Sequence, residues 1–165
     1  MSRPELRAPE DDDRAPMTVE ERAVWVYLAV FLATSIGYAA VVVPRVMDQP
    51  IEDVAWVEPM LWAIGLSIAG TIVGSILAAI GAAIGLAVRG RDPNIELGSD
   101  ERDKAIERLG NRATYGVISA GMLAVLVLAM LDVDSFWIGN TAYAAGFIGA
   151  AVEAVVKIRA YRRGF

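Results

Sequence analysis

The sequence contains neither cysteine nor histidine. Without cysteine the chain cannot form disulfides, hold iron–sulfur clusters through thiolates or use thiol chemistry. Without histidine it lacks the usual ligand of haem and copper, the histidine ligand of zinc sites and the commonest general base. We therefore expect no enzymatic activity and no cofactor. Only a Mg²⁺ or Ca²⁺ site built from carboxylates alone stays open, because these ions take oxygen ligands.

Charged residues are also scarce within four long apolar stretches, which cover residues 23–43, 60–88, 113–131 and 136–156. A helix needs about 20 apolar residues to cross a membrane, and three of the stretches have about that length. The second would be about 43 Å long as a helix, so we expect it to tilt or to extend into the cytoplasm. Helices of a soluble bundle need a polar face, which these stretches lack. The pattern predicts an all-α polytopic membrane protein with four transmembrane helices.

Basic residues are nearly missing from two of the three loops. Loops 44–59 and 132–135 contain only Arg45, while all other Lys and Arg residues lie near the two termini or near loop 89–112. Because Lys and Arg stay on the cytoplasmic side, both termini and loop 89–112 should be cytoplasmic. We expect a multi-pass protein of the plasma membrane. Arg outnumbers Lys thirteen to two, and with abundant Ala and Gly this hints at a prokaryotic source.

The net charge of −5 comes largely from the N-terminal segment. Residues 1–17 are polar, acidic and proline-containing, so we expect a disordered cytoplasmic tail. Thr18 and Glu21 have the spacing of a capping box and predict the start of the first helix. Residues 18–165 then form a single four-helix transmembrane domain, which has the lipid bilayer as its surroundings. No nucleic-acid partner is expected.

Proline and glycine predict several helix ends. Pro44 should end the first span, because proline cannot continue the hydrogen-bond ladder of a helix. Pro59 fits the first turn of the second helix, and Gly90 reads as a C-terminal cap of that helix. The short segment 132–135 predicts a tight turn that forces the last two spans into an antiparallel hairpin.

A short amphipathic cytoplasmic helix should precede the third span. Ser99 or Asp100 would cap it, and apolar residues recur on one face. Asp100 and Lys104 have the favourable i,i+4 order for an ion pair. Gly110 would mark a bend between this helix and the span. Its carboxylates Asp103 and Glu107 follow Asp100 on one side, which we interpret as a solvated, salt-bridged face; the alternative is a metal site.

Small residues recur at helical spacing in the second and fourth spans. They let helix backbones approach closely within a membrane, where no hydrophobic effect drives helices together. We interpret them as packing positions inside the bundle; the alternative is that one face of the second span contacts a second copy or a partner protein. The helix-packing candidates are Gly70, Gly74, Ala78, Gly81, Gly85 and Gly146.

Polar residues within the spans are the first candidates for function. Glu153 is the one charged residue clearly inside a span, and an ionisable residue in a membrane is a functional candidate by default. Lys157 follows it at the favourable i,i+4 distance, so we expect a structural ion pair; the alternative is proton or cation handling. Asn140 and Thr141 should form hydrogen bonds between helices.

The stretch Ser99-Asp-Glu-Arg-Asp-Lys-Ala-Ile precedes a transmembrane hairpin and a basic C-terminus. This arrangement resembles a group of uncharacterised small prokaryotic four-helix membrane proteins that share a D-E-R-D-x-x-I signature. The resemblance covers about residues 99–165 and implies a four-helix membrane protein, without an activity. The signature residues to test are Asp100, Glu101, Arg102 and Asp103, whose charges would pair with the loops of a neighbouring subunit.

These observations favour a non-enzymatic interaction or regulatory module, which acts as a homo-oligomer or with a membrane-protein partner. The alternative is a small oligomeric transporter or channel. Small multidrug exporters have a similar size, but they depend on a carboxylate deep in the first span, and the first span here has no charge. Transport would then depend on Glu153, on Asn140 or on backbone sites.

Overall fold

The computed structural model describes residues 19–88, residue 90 and residues 101–163. Their four long helices are α1 (Val19–Asp48), α2 (Val57–Val88), α3 (Glu101–Met130) and α4 (Ser135–Arg163), and a short 3-10 turn (Ile51–Asp53) lies between α1 and α2. Each of the four is about 45 Å long and apolar enough to cross a membrane. The chain is therefore an all-α protein with the helices of a four-span membrane protein.

Some predictions fall on the rest of the chain. The acidic tail 1–17 and the helix caps predicted at Thr18, Ser99 and Asp100 lie outside the described residues.

The four helices form two antiparallel hairpins. α1 packs along α2, α3 packs along α4, and the hairpins join mainly through α1 and α4. α2 and α3 therefore lie on the outside and make almost no contact with each other. This arrangement leaves an open space between the two outer helices.

The two hairpin turns lie together at one end of the bundle, which we call the turn end. The ring of Trp56 meets that of Phe136 edge-on, with 6.0 Å between the centroids. At the opposite, terminal end, the guanidinium of Arg162 lies 5.4 Å from the centroid of the Trp25 ring. The start of α1 and the end of α4 therefore meet at the same end. The main cluster of buried residues lies near the turn end and consists of Tyr38, Val42, Val54, Met60, Ala63 and Phe136.

The prediction that Pro44 ends the first helix is wrong. α1 continues through Pro44 to Asp48. Proline removes only one backbone donor, and the turn that follows has other support. The Arg45 guanidinium donates a hydrogen bond to the carbonyl of Ala55, and the N–H of Gln49 donates to the carbonyl of Arg45 at 3.1 Å. Contacts with the next loop therefore stabilise the last turn of α1.

The bend predicted at Gly110 is also wrong, because α3 runs as one helix from Glu101 to Met130. Gly110 instead allows a close approach to α4. A Cβ at this position would lie 2.7 Å from Cε of Lys157 and 3.2 Å from Cγ of Glu153. The segment expected to form a separate helix is thus the first three turns of α3.

Three predicted helix ends and turns are confirmed. Gly90 follows α2 with a φ of +69°, and its N–H donates to the carbonyl of Ala87 at 3.0 Å. Pro59 lies in the first turn of α2. The turn between α3 and α4 is tight. Asp132 has a φ of +54°, and Oδ1 of Asp134 caps α4 by accepting a hydrogen bond of 2.7 Å from the N–H of Phe136.

Candidate functional site

Two of the predicted small residues bring α2 against α1. A Cβ on Gly70 would lie 2.9 Å from a methyl carbon of Val30, and one on Gly74 would lie 2.6 Å from a methyl carbon of Val26. One turn before Gly70 in α2, the hydroxyl oxygen of Ser67 lies 3.2 Å from that of Thr34. The contact therefore combines close backbone approach with a hydrogen bond between helices, as expected for membrane helices.

The other predicted glycines make no such contact. Among the described residues, no atom lies within 4 Å of a Cβ built on Gly81, Gly85 or Gly146. Gly81 and Gly85 lie on the last two turns of α2. In the antiparallel register set by Gly70 and Gly74, Gly81 lies level with Val19, the first residue of α1, and Gly85 lies past the start of α1. Gly146 faces an open space between α2 and α4. Ala78 is half-buried.

The contact between α3 and α4 uses glycines that the sequence analysis missed. A Cβ on Gly121 would overlap that of Ala145, and one on Gly149 would lie 3.0 Å from Cδ1 of Ile118. The hydroxyl of Thr114 donates to the carbonyl of Gly149 at 3.2 Å. The signal was present in α4, because Ala145 and Gly149 begin a row at four-residue spacing that continues to Glu153 and Lys157. A further glycine outside the prediction, Gly139, lies directly against the ring of Trp56.

Hydrogen bonds in the half of the bundle near the turn end connect the two hairpins. The Tyr38 hydroxyl donates to Oδ1 of Asn140 at 2.6 Å, and the amide of Asn140 donates to the carbonyl of Phe136 at 2.8 Å. The hydroxyl oxygens of Ser35 and Tyr143 lie 3.0 Å apart. The predicted hydrogen bond of Asn140 to another helix is therefore present, and it fixes α4 to α1.

Two open spaces lie one after the other along one face of α2, and together we call them the α2 cleft. Its half near the turn end lies between α2 and α4 and has a volume of about 570 Å³. It is apolar, with Met60, Ile64, Ile68, Ala142 and Gly146 among its lining residues. The half near the terminal end has a volume of about 600 Å³ and is lined by residues from all four helices. Thr71 and Ser75 continue the same face of α2 there, so the two halves follow one another along the helix.

The half near the terminal end is acidic. The amine of Lys157 and four carboxylates from three helices line it. The carboxylates are those of Glu20, Asp103, Glu107 and Glu153. Nζ of Lys157 lies 2.6 Å from Oε1 of Glu153, so the predicted ion pair is present. In the described part of the chain, no three carboxylates are placed to hold a metal ion.

The signature segment joins the start of α3 to the end of α4. The Arg102 guanidinium donates to the carbonyl of Tyr161 at 3.3 Å, and Ile106 is fully buried. Asp103 is only 6% exposed, so the prediction that it lies on a solvated face is wrong. The helix turns its side chain toward the bundle, where α3 packs on α4. Lys104 pairs with Glu101 at 2.8 Å.

Comparisons with known proteins place no relative beside this chain. No protein-family model, no curated protein and no solved structure matches it. The resemblance carried by the D-E-R-D-x-x-I segment therefore stays a prediction.

Proposed function

We propose that the protein is a non-enzymatic membrane interaction module, which receives a transmembrane helix in the α2 cleft. One observation carries the proposal. The four described helices leave the cleft open along successive turns of α2. Small residues such as Ala142 and Gly146 line it, and small residues are the ones that let a membrane helix pack closely.

The exposure of α2 supports this role. Ile64 and Ile68, which face the cleft, are 40% and 59% exposed. Polar groups of the cleft increase toward the terminal end, where Thr71 and Ser75 follow the apolar residues. A helix in the cleft would therefore contact an apolar surface in the half near the turn end and hydrogen-bonding groups in the half near the terminal end.

We further propose that the terminal end of the bundle is cytoplasmic and that the membrane is the plasma membrane. All the described Lys and Arg residues except Arg45 lie toward this end, which fits the retention of basic residues on the cytoplasmic side. The first three turns of α3 would then extend the third span toward the cytoplasm, because α3 is one continuous helix. The hydrogen bond from Arg102 to the carbonyl of Tyr161 holds the start of α3 beside the end of α4.

Crosslinking in native membranes tests the interaction role. Because the chain has no cysteine, a single Ile68→Cys variant carries one crosslinker at a defined point of the cleft. Val73→Cys is the matched control, because Val73 is 55% exposed but lies on another face of α2. A stoichiometric product, identified by mass spectrometry, should form from Ile68→Cys and not from Val73→Cys. Equal yields from both variants, or no product from either, would reject the proposal.

A small oligomeric transporter or channel is the second candidate. The acidic half of the cleft favours it, because Glu20, Glu107 and Glu153 there lie beside one amine, that of Lys157. Proton and cation flux should then appear in liposomes that contain the purified protein. Glu153→Gln should reduce the flux strongly if this carboxylate carries the ion, and unchanged flux would argue against a mechanism through Glu153.

A further inference from the structure

The exposed face of α3 has the properties that the α2 cleft would require of an occupant. Arg108 and Arg112 are exposed near its terminal end, and neither has an ion pair among the described residues. Tyr115 and Met122 continue the exposed surface toward the turn end and are 69% and 65% exposed. The face is thus basic at one end and apolar along the rest, where the cleft is acidic at one end and apolar along the rest.

The charges lie at matching depths in the membrane. When two copies have the same orientation in the membrane, each residue lies at the same depth in both copies. In α3, Gly110 lies against Glu153, so Arg108 and Arg112 of a second copy reach the depth of that carboxylate. Glu107, one residue before Arg108, lines the acidic half of the cleft at nearly the same level. Arg108 and Arg112 of a second copy would therefore face mainly opposite charges, because four carboxylates and one amine, that of Lys157, line this half of the cleft.

The apolar parts also match in depth. Gly121 meets Ala145, so Met122 lies at the level of the middle of α4. At that level the hydrogen bond between Ser35 and Tyr143 connects α4 to α1, and the hydrogen bond between Thr34 and Ser67 connects α1 to α2. Met122 of a second copy would therefore lie level with the Ile64 and Ile68 side chains of the cleft.

We propose that the occupant of the α2 cleft is α3 of a second copy of this chain; this inference rests on the proposed function. α3 also borders the acidic half of the cleft in its own copy. A two-fold axis beside α3, along the membrane normal, places each α3 in the cleft of the other copy. The contact is self-complementary and closes as a dimer.

Disulfide formation between introduced cysteines tests the arrangement. In native membranes, oxidation of the Ile68→Cys/Met122→Cys variant should give a covalent dimer. The Ile64→Cys/Met122→Cys variant should also give a covalent dimer, and it controls for a local effect of the substitution at Ile68. Val73→Cys/Met122→Cys should give no dimer above the level of each single-cysteine variant, because Val73 lies outside the cleft.

Exchanging the charges of two residues tests the proposed charge pairing between the copies. Glu107→Arg alone should weaken self-association by roughly tenfold, and Arg112→Glu alone should do likewise, because each places like charges opposite one another. The double variant should recover most of the loss, since the opposite charges face each other again. Equal loss in the double variant and in the single variants would overturn the proposed pairing.

The crosslinking and disulfide experiments distinguish the proposed dimer from the proposed interaction role on which it rests. A different membrane protein captured through Ile68→Cys, with no disulfide dimer from either pair, would keep the interaction module and reject the second copy as occupant. No capture and no dimer would reject both. A dimer formed equally well through Val73 would reject the α2 cleft as the contact.

Discussion

The hydroxyl of Tyr38 in α1 donates a 2.6 Å hydrogen bond to Oδ1 of Asn140 in α4. Tyr38 is 8% exposed, and its ring lies 5.1 Å from that of Tyr143, measured between centroids. This hydrogen bond therefore joins the two hairpins at a point where water has little access. Its loss should loosen the contact between hairpins without changing either hairpin.

Tyr38→Phe should lower the free energy of unfolding by about 0.6 kcal/mol and by at most ~1.7 kcal/mol, the range found for hydrogen bonds between membrane helices. The measurement is reversible unfolding by SDS in mixed micelles. A double-mutant cycle with Asn140→Leu isolates the interaction. A coupling energy of zero between the two substitutions would contradict the structure at this point.

Gly121→Ala should destabilise the hairpin of α3 and α4 by about 1–3 kcal/mol, because the added methyl overlaps Ala145 in a closely packed contact. Gly116 in the same helix is the matched control, since no atom lies within 4 Å of a Cβ at that position among the described residues. Gly116→Ala should change the unfolding free energy by no more than about 0.5 kcal/mol. Equal effects of the two substitutions would rule out the packing seen between α3 and α4.

Gly74→Leu should separate α2 from α1, because a side chain there collides with Val26. We expect a loss of about 1–3 kcal/mol in the same unfolding measurement. Gly81→Leu lies on the same helix without a neighbour in the described part of the chain and should leave the free energy of unfolding nearly unchanged. If Gly81→Leu instead costs as much as Gly74→Leu, α2 packs over more of its length than the structure shows.

Lys157→Gln should destabilise the protein by about 1–2 kcal/mol, because it leaves the carboxylate of Glu153 without its cation at a largely buried position. The two side chains are 16% and 23% exposed. The pair of Lys104 and Glu101 is a control at 53% and 86% exposure. Lys104→Gln should cost no more than about 0.5 kcal/mol. Equal costs for both substitutions would show that burial does not distinguish the two pairs.

A topology reporter fused after Phe165 should be cytoplasmic, and one inserted near Gln49 should be external. The reason is that Arg45 is the only basic residue toward the turn end among those described, and basic residues stay in the cytoplasm. The same reporter inserted near Asp134 should also be external and serves as an internal check. The opposite pattern would invert the orientation of the whole bundle.

The number and positions of the four helices long and apolar enough to span a membrane followed from the sequence alone, as did the turn between α3 and α4, whereas the end of α1 did not. The reason is local, because a membrane helix must satisfy its own backbone hydrogen bonds and must be long and apolar enough for the hydrocarbon. The helix cap at Gly90 and the turn at Asp132 could also be predicted from the sequence, since a helix end depends on the residues next to it. The pairing of Glu153 with Lys157 followed from spacing within one helix.

Only the tertiary structure decided which small residues pack. Glycine occurs on several faces of α2 and α3, and local spacing does not state how a helix is rotated or where its partner begins. Gly74 therefore contacts Val26, while Gly81 contacts no other helix among the described residues. Gly121, and not Gly116, contacts α4. The burial of Asp103, the partner of Asn140 and the open α2 cleft depend on the same rotations and registers. In a bilayer these are set by side-chain packing between distant segments, which no single stretch of the sequence contains.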